Sequence, residues 1–256
     1  MHRHLRGGHT KETRPRPRIL PSAAMRLPSM VNPPAVTAAQ MREVDRAMVE
    51  DFHIELVQMM ENAGRNLAEL ALRRFAPRST VVLAGSGGNG GGGLVAARHL
   101  ANRGAEVHVA LSRPEDELSD VTAHQLDIVR RLDIDTTDEP SNADLVIDAV
   151  IGYSLEGDPA GRVAELIEWA NRQPAPVLSL DSPSGMDVST GRAASPCVRA
   201  NATMTLALPK VGLLMAPSLV GDLFVADISV PSALFERMGI DVRALFAEDT
   251  IVALTR

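Results

Sequence analysis

Residues 85–93 read GSGGNGGGG, with seven glycines in nine positions. Each glycine in a regular element costs about 0.5–1 kcal/mol relative to alanine, so the run indicates that something requires a bare backbone there. A β-rich segment precedes the run, and the helical pattern LVAARHL follows it. The first N–H groups of a helix are unpaired and its dipole favours an anion, so this turn suits a phosphate group. The stretch therefore predicts a strand–turn–helix unit that binds a phosphate-bearing ligand.

On both sides of this turn, short β-rich segments alternate with helical patterns. We predict strands over residues 81–84, 106–111, 144–148, 177–181, 203–208 and 223–228, and helices over residues 93–103, 117–132 and 160–171. Asp158 and Pro159 suit the cap and first turn of the last helix. Upstream, Thr37 is expected to cap a first helix, and apolar residues spaced by three and four over residues 56–71 indicate a second one. This alternation predicts an α/β protein with a parallel sheet covered on both faces.

The composition excludes several classes of partner. No apolar run approaches the roughly 18–20 residues that cross a membrane, so no membrane association is expected. The net charge is −6, and the acidic excess lies downstream of residue 35, which argues against nucleic acid as a partner. Cys197 is the single cysteine, so no intrachain disulfide can form and a reducing, cytoplasmic location is expected.

The first 35 residues differ from the rest of the chain. They contain six of the 17 prolines, six arginines and a single acidic residue. This composition cannot bury a core, so we predict a disordered extension over residues 1–35 and one domain over residues 36–256. The extension is either a transit peptide or a dispensable segment upstream of a start at Met25 or Met30.

The residues at the predicted strand ends form a candidate site, because ligands of an open α/β sheet bind beyond the carboxyl ends of its strands. The third strand ends in Asp148 and the fourth in Asp181. Two carboxylates in one crevice influence each other's protonation, so one can hold a proton near neutral pH. Oxygens of Asn89 and Ser184 would complete, with Asp148, a hard-ligand site for a weakly held cation. The structural alternative is that each aspartate caps the loop after its strand.

Two common nucleotide-binding patterns fit less well. Gly85, Gly87 and Gly90 match G-x-G-x-x-G, but a dinucleotide-binding unit also places an acidic residue about 20 positions further on. The chain has Ser112 and Arg113 there, which argues against an ordinary nicotinamide dehydrogenase. No Lys-Ser/Thr pair follows the glycines, which argues against a P-loop. A tight turn without any ligand is the structural alternative.

Seven blocks of this sequence resemble the NAD(P)H-hydrate epimerases, the family named for the N-terminal domain of YjeF-type proteins. Between residues 37 and 240 they are TAAQMREVDRA, MENAG, the glycine run with GLVAARHL, LVIDAVIGYSLEGDP, SLDSPSGMDVSTG, ATMTLALPKVGLL and FVADISVP. The resemblance implies a Rossmann-like three-layer sandwich with a mostly parallel central sheet, usually dimeric. It also implies interconversion of the R and S epimers of NADHX and NADPHX, the hydrated nicotinamide nucleotides, with a bound potassium ion. Bifunctional relatives carry a second domain that dehydrates the S epimer, so a separate dehydratase is an expected partner.

The resemblance also assigns residues. It implies that Asn89, Asp148 and Ser184 ligate potassium. The implied nucleotide contacts are Gly88, Asn89, Gly90, Gly91 and Gly92 in the first loop, Gly152, Tyr153, Ser154, Leu155, Glu156, Gly157 and Asp158 in the second, and Asp181. The family's first loop typically reads G-x-G-N-N-G-G-D-G, whereas Gly88 and Gly92 replace its first Asn and its Asp here.

For catalysis we consider loss of the ring hydroxyl, formation of an iminium ion by the ring nitrogen, and return of water to the other face. The hypothesis is that Asp181 exchanges the proton while Asp148 stays ionised beside potassium. Tyr153 and Lys210 are further candidates for lining the pocket. The alternative function is a catalytically impaired nucleotide-binding or scaffolding module, because Gly88 and Gly92 lack the family's side chains.

Overall fold

The computed structural model describes residues 27–255 and contains one mixed sheet. Within these residues the sheet has nine strands in the order β1-β9-β8-β7-β6-β5-β2-β3-β4. Neighbouring strands are parallel except β8 and β9, which are antiparallel. The strands are β1 Ser29–Val31, β2 Ser79–Ala84, β3 Glu106–Leu111, β4 Asp135–Thr136, β5 Leu145–Ala149, β6 Val177–Leu180, β7 Ala202–Leu206, β8 Asp222–Ala226 and β9 Ile251–Thr255.

Helices cover both faces of this sheet. In the described range they are α1 Ala38–Glu50, α2 Leu56–Arg74, α3 Gly88–Asn102, α4 Asp120–Arg131, α5 Gly161–Arg172, α6 Val211–Met215, α7 Pro217–Val220 and α8 Ser232–Arg237, with a 3-10 turn at Glu115–Glu117. Alternate residues of β2 show the two layers: Val82 and Ala84 pack in the core formed with α2 and α3, whereas Val81 and Leu83 pack against α5. No helix among residues 27–255 is long and apolar enough to cross a membrane.

The predicted fold class, a three-layer α/β sandwich with a mostly parallel sheet, is confirmed. The strand predicted over residues 106–111 has those bounds in the structure, and the other predicted strands differ by one or two residues at their ends. Thr37 caps α1 through its hydroxyl, which accepts a hydrogen bond from the Gln40 amide at 3.2 Å. The cap predicted for α5 is wrong, because that helix begins at Gly161 after Ala160, and Asp158 instead accepts a hydrogen bond from the Ser195 amide.

The boundary predicted at residue 36 excludes a strand that belongs to the sheet. Ser29–Val31 pairs in parallel with β9, opposite Ala253–Thr255. The prediction of disorder over residues 1–35 is therefore wrong for residues 29–31. Residues 1–26 lie outside the described range. Backbone pairing with β9, together with packing of Met30 against the core, orders this short segment.

The glycine run is mainly helical, and this corrects the helix start predicted at residue 93. Helix α3 begins at Gly88, so five of the seven glycines lie in its first two turns. The reason is close packing: a Cβ on Gly90 would lie 1.9 Å from the carbonyl oxygen of Gly85, and one on Gly92 would lie 2.8 Å from a methyl group of Leu180. Packing within the protein therefore requires glycine at some positions of the run, independently of any ligand.

We predict that Gly90→Ala lowers the free energy of unfolding by about 1–3 kcal/mol, because the new methyl group overlaps backbone that cannot move aside. Urea denaturation provides the measurement. Gly88→Ala is the matched control, since its Cβ would meet only the end of the Met60 side chain at 3.6 Å. Equal stability of the two variants would contradict this packing role.

Candidate functional site

The order in which strands are added to the sheet reverses at β2. From β2 the chain continues to β3 and β4 on one side, and later to β5, β6 and β7 on the other. Such a switch point opens a crevice at the carboxyl ends of the strands. A cavity of about 280 Å³ lies there, lined by Met41, Asp45, Leu56, Met59, Met60, Ala63, Gly88, Asn89, Gly92, Gly152, Tyr153, Ser154, Leu180, Asp181, Leu206, Lys210 and Ile228. Met59 and Met60 of α2 form an apolar wall of this cavity.

Asp181 and Lys210 form a buried ion pair in the cavity. Asp181 follows β6, is 3% exposed, and has a left-handed φ of 66°. One carboxylate oxygen accepts a hydrogen bond from the ammonium group of Lys210, which is fully buried. Lys210 also donates to the hydroxyl of Thr205 and to the carbonyl oxygen of Leu206, both at 3.2 Å. Buried charges persist only when paired and hydrogen-bonded, as these are.

Tyr153 connects this ion pair to a second carboxyl group. Its backbone N–H donates to Asp181 Oδ2 at 3.1 Å, and its hydroxyl donates to Asp45 Oδ2 at 2.5 Å. Its ring lies 5.6 Å from the Lys210 ammonium nitrogen. Burial raises the pKa of Asp45 above its usual range, although the Tyr153 hydrogen bond and the Lys210 charge oppose that shift. Burial and the Asp45 charge also raise the pKa of the Tyr153 phenol.

Asp148 lies inside β5 and is not among the residues lining the cavity. It is fully buried, and its carboxylate accepts hydrogen bonds from the Ser184 amide at 2.9 Å, the Ser184 hydroxyl at 2.5 Å and the Ser179 hydroxyl at 2.8 Å. Burial raises the pKa of Asp148, and these hydrogen bonds oppose that shift. The structure thus brings Asp148 and Ser184 together, and neither residue lines the cavity.

Asn89 approaches the same loop from α3. Its side-chain Oδ1 lies 3.3 Å from the position of a Cβ on Gly152, next to Ile151, whose amide donates to the Ser184 hydroxyl at 2.8 Å. The Asn89 Nδ2 is buried without a hydrogen-bond partner within the part of the chain described. Rotating the side-chain amide of Asn89 by half a turn would place its oxygen where Nδ2 now lies. The three implied cation ligands therefore gather around one short loop.

The second predicted loop is divided between two cavities. Gly152, Tyr153 and Ser154 line the first cavity. Tyr153 and Ser154, together with Leu155 and Glu156, also line an adjoining cavity of about 430 Å³. Gly157 and Asp158 line neither of these two cavities. In the first loop, Gly88, Asn89 and Gly92 line the first cavity, whereas a Cβ on Gly91 would lie 2.7 Å from Met60.

Two residues of this site carry little signal in the sequence. Asp45 lies in the middle of α1, where an isolated aspartate resembles any solvated helix residue. Lys210 follows a proline in a short apolar stretch, and the sequence did not distinguish a buried ion pair from a side chain that reaches solvent. Each forms its hydrogen bond in the site with a residue more than 25 positions away in sequence.

A cavity at the switch point of a mostly parallel sheet, with an ion pair buried in it, defines a Rossmann-like α/β protein with a candidate ligand site. A family model described as YjeF-related protein N-terminus matches residues 56–212, and the chain belongs to this family. It is 46% identical over 230 residues to an NAD(P)H-hydrate epimerase of Dehalogenimonas lykanthroporepellens, covering 86% of this chain and 92% of that protein.

Other comparisons agree with this membership. An NAD(P)H-hydrate epimerase of Rhodopirellula baltica is 35% identical, with 81% of this chain and 89% of that protein covered. A bifunctional NAD(P)H-hydrate repair enzyme Nnr of Salinibacter ruber is 37% identical over 80% of this chain, which spans 42% of that longer protein. The crystal structure of the yeast protein ynu0 has a TM-score of 0.77 at 22% identity over 86% of this chain and all of that one, which supports the fold.

We predict that Asp148→Asn lowers the free energy of unfolding by about 1–3 kcal/mol, because the amide cannot accept at both positions and leaves a buried donor unpaired. Urea denaturation with and without added potassium measures the effect. Asp127→Asn is a control with the same chemical change in an exposed ion pair, and little change is expected there. A fully stable Asp148→Asn protein would contradict this structural role.

Proposed function

We propose that this chain interconverts the R and S epimers of NADHX and NADPHX. The observation that carries the proposal is the buried Asp181–Lys210 pair in an apolar-walled cavity. Its support is the 46% identity to a protein named NAD(P)H-hydrate epimerase, 92% of which is covered. A cavity of about 280 Å³ suits a ring rather than a whole dinucleotide, so the remainder of the substrate would extend along Tyr153 and Ser154 into the adjoining cavity.

The proposed reaction needs a proton at one oxygen of the substrate. The hydroxyl on the hydrated ring carbon takes a proton and leaves as water, while the lone pair of the ring nitrogen forms a C=N bond. Water then adds to the other face of this planar cation and gives up a proton. We assign proton exchange to Asp181, with Lys210 compensating its charge in the buried site.

We further propose that Asn89, Asp148 and Ser184 hold a potassium ion. Among residues 27–255, no group of three His, Cys, Asp or Glu side chains could bind a metal, so a cation here would depend on amide, hydroxyl and carbonyl oxygens beside one carboxylate. Such hard, weakly charged ligands suit a weakly held monovalent ion, and the unpaired amide of Asn89 supports the fit. When bound, the ion would supply positive charge near the nucleotide.

Two further proposals concern assembly. We propose a homodimer in solution, which sedimentation equilibrium would test. We also propose that a separate dehydratase consumes the S epimer, since the bifunctional relatives are named repair enzymes and this chain spans about two fifths of their length.

The central test mixes acid-prepared NADHX epimers with this protein and an S-specific dehydratase, with and without potassium. We expect the R epimer to be consumed many times faster than with the dehydratase alone, and faster with potassium than without it. Separation of the epimers by liquid chromatography measures this. Binding of NADPHX or ADP-ribose without faster consumption of the R epimer would favour the alternative of a catalytically impaired binding module. That alternative is based on the glycines at positions 88 and 92, which lack the side chains typical of the family.

We predict that Asp181→Asn reduces interconversion about 100-fold or more, because the proton-exchanging group is lost and Lys210 keeps an uncompensated charge. The same coupled assay measures the rate, and thermal denaturation checks that the variant is folded. Asp127→Asn serves again as the exposed control. A folded Asp181→Asn protein with near-normal turnover would disprove the assignment.

A further inference from the structure

We infer that Asp45, held by Tyr153, is a second proton-exchanging group that serves the ring face opposite Asp181. The inference rests on the proposed epimerisation and adds to it a residue of α1 that the sequence did not single out. It assigns one carboxyl group to each face of the substrate ring.

The chemistry requires groups at two faces. When hydroxyl is lost from a ring carbon and water returns with inversion, the departing and entering oxygens lie on opposite sides of a planar cation. Proton transfer needs a group within hydrogen-bond distance of the oxygen concerned. A single carboxyl group on one side therefore allows loss and return of water on that side, whereas inversion needs a second group on the other side.

The cavity contains two such carboxyl groups on different layers of the fold. Asp181 comes from the carboxyl end of β6 in the sheet, and Asp45 comes from helix α1; both line the cavity. Tyr153 contacts Asp181 through its backbone N–H and Asp45 through its hydroxyl, so the carboxylates are separated by the length of one tyrosine residue. Both carboxyl groups border the cavity of about 280 Å³.

Asp45 also retains the capacity that the role needs. Within residues 27–255, the hydroxyl of Tyr153 is the one hydrogen-bond donor to its carboxyl group, bound at Oδ2. Its other oxygen is therefore available to a substrate hydroxyl or a water molecule. Asp148, in contrast, does not line the cavity. Burial raises the pKa of Asp45, which favours a proton-carrying form.

An oxygen-isotope exchange experiment distinguishes the reactions at the two faces of the ring. Loss and return of water in H₂¹⁸O labels the ring hydroxyl, and mass spectrometry of the separated R and S epimers reports the label on each. We expect wild-type protein to label and interconvert both epimers. In Asp45→Asn, interconversion falls about 100-fold or more, while labelling above the uncatalysed rate continues in one epimer, through Asp181. In Asp181→Asn, the labelled epimer is the other one.

Outcomes that overturn the inference are distinct from those that overturn the proposed function. A folded Asp45→Asn protein that interconverts the epimers within about threefold of wild type, or that loses labelling of both epimers equally, would show that Asp45 serves no separate face. Wild-type protein that neither labels nor interconverts either epimer would instead refute the epimerase function itself. Asp127→Asn, which changes an exposed aspartate on α4, should behave as wild type throughout.

Tyr153→Phe provides a second variant in case Asp45→Asn does not fold. It removes the hydrogen bond to Asp45 but keeps the aromatic ring and the backbone N–H that binds Asp181. As Tyr153 positions Asp45, we expect interconversion to fall about tenfold while single-epimer labelling stays near the wild-type rate. Unchanged interconversion, or an equal fall in the labelling of both epimers, would contradict the inference.

Discussion

The ion pair between Asp181 and Lys210 is the interaction on which the site depends. Both side chains are buried, and removing one partner of such a pair typically costs about 3–5 kcal/mol because the other charge is left uncompensated. The pair joins the end of β6 to the residue that precedes α6, and Tyr153 adds the loop after β5 through its N–H. Three segments that are distant in sequence are therefore held at one edge of the sheet.

Asp148 and Asp181 differ in their position relative to the end of the strand. Asp148 lies within β5, beside Leu83 of β2 and Ser179 of β6, and does not line the cavity. Asp181 lies just after β6, and its left-handed backbone accompanies a side chain that reaches the cavity. One residue type on adjacent strands thus gives one group suited to a structural or cation-binding role and one suited to contact with a ligand.

The glycine run serves packing and the site together. Gly90 and Gly92 allow the first turns of α3 to approach the backbone at Gly85 and the side chain of Leu180. The same approach brings Asn89 close to Gly152, and both residues line the cavity. A run that resembles a phosphate-binding loop in sequence is thus, over most of its length, the tightly packed start of a helix, and only Gly88, Asn89 and Gly92 of the run line the cavity.

The sequence by itself determined the fold class, most of the strands and the family, and it predicted a site at the strand ends, where the structure has a cavity. These features depend on local patterns: alternation of β-rich and helical segments, a cap at Thr37, and blocks in a fixed order. Tertiary structure alone decided that Lys210 pairs with Asp181, that Asp45 reaches the cavity from α1, that Asp148 is enclosed, and that Ser29–Val31 joins the sheet. The physical reason is that burial and charge pairing depend on which distant segments come into contact, and the pattern of residues within one segment does not specify those contacts.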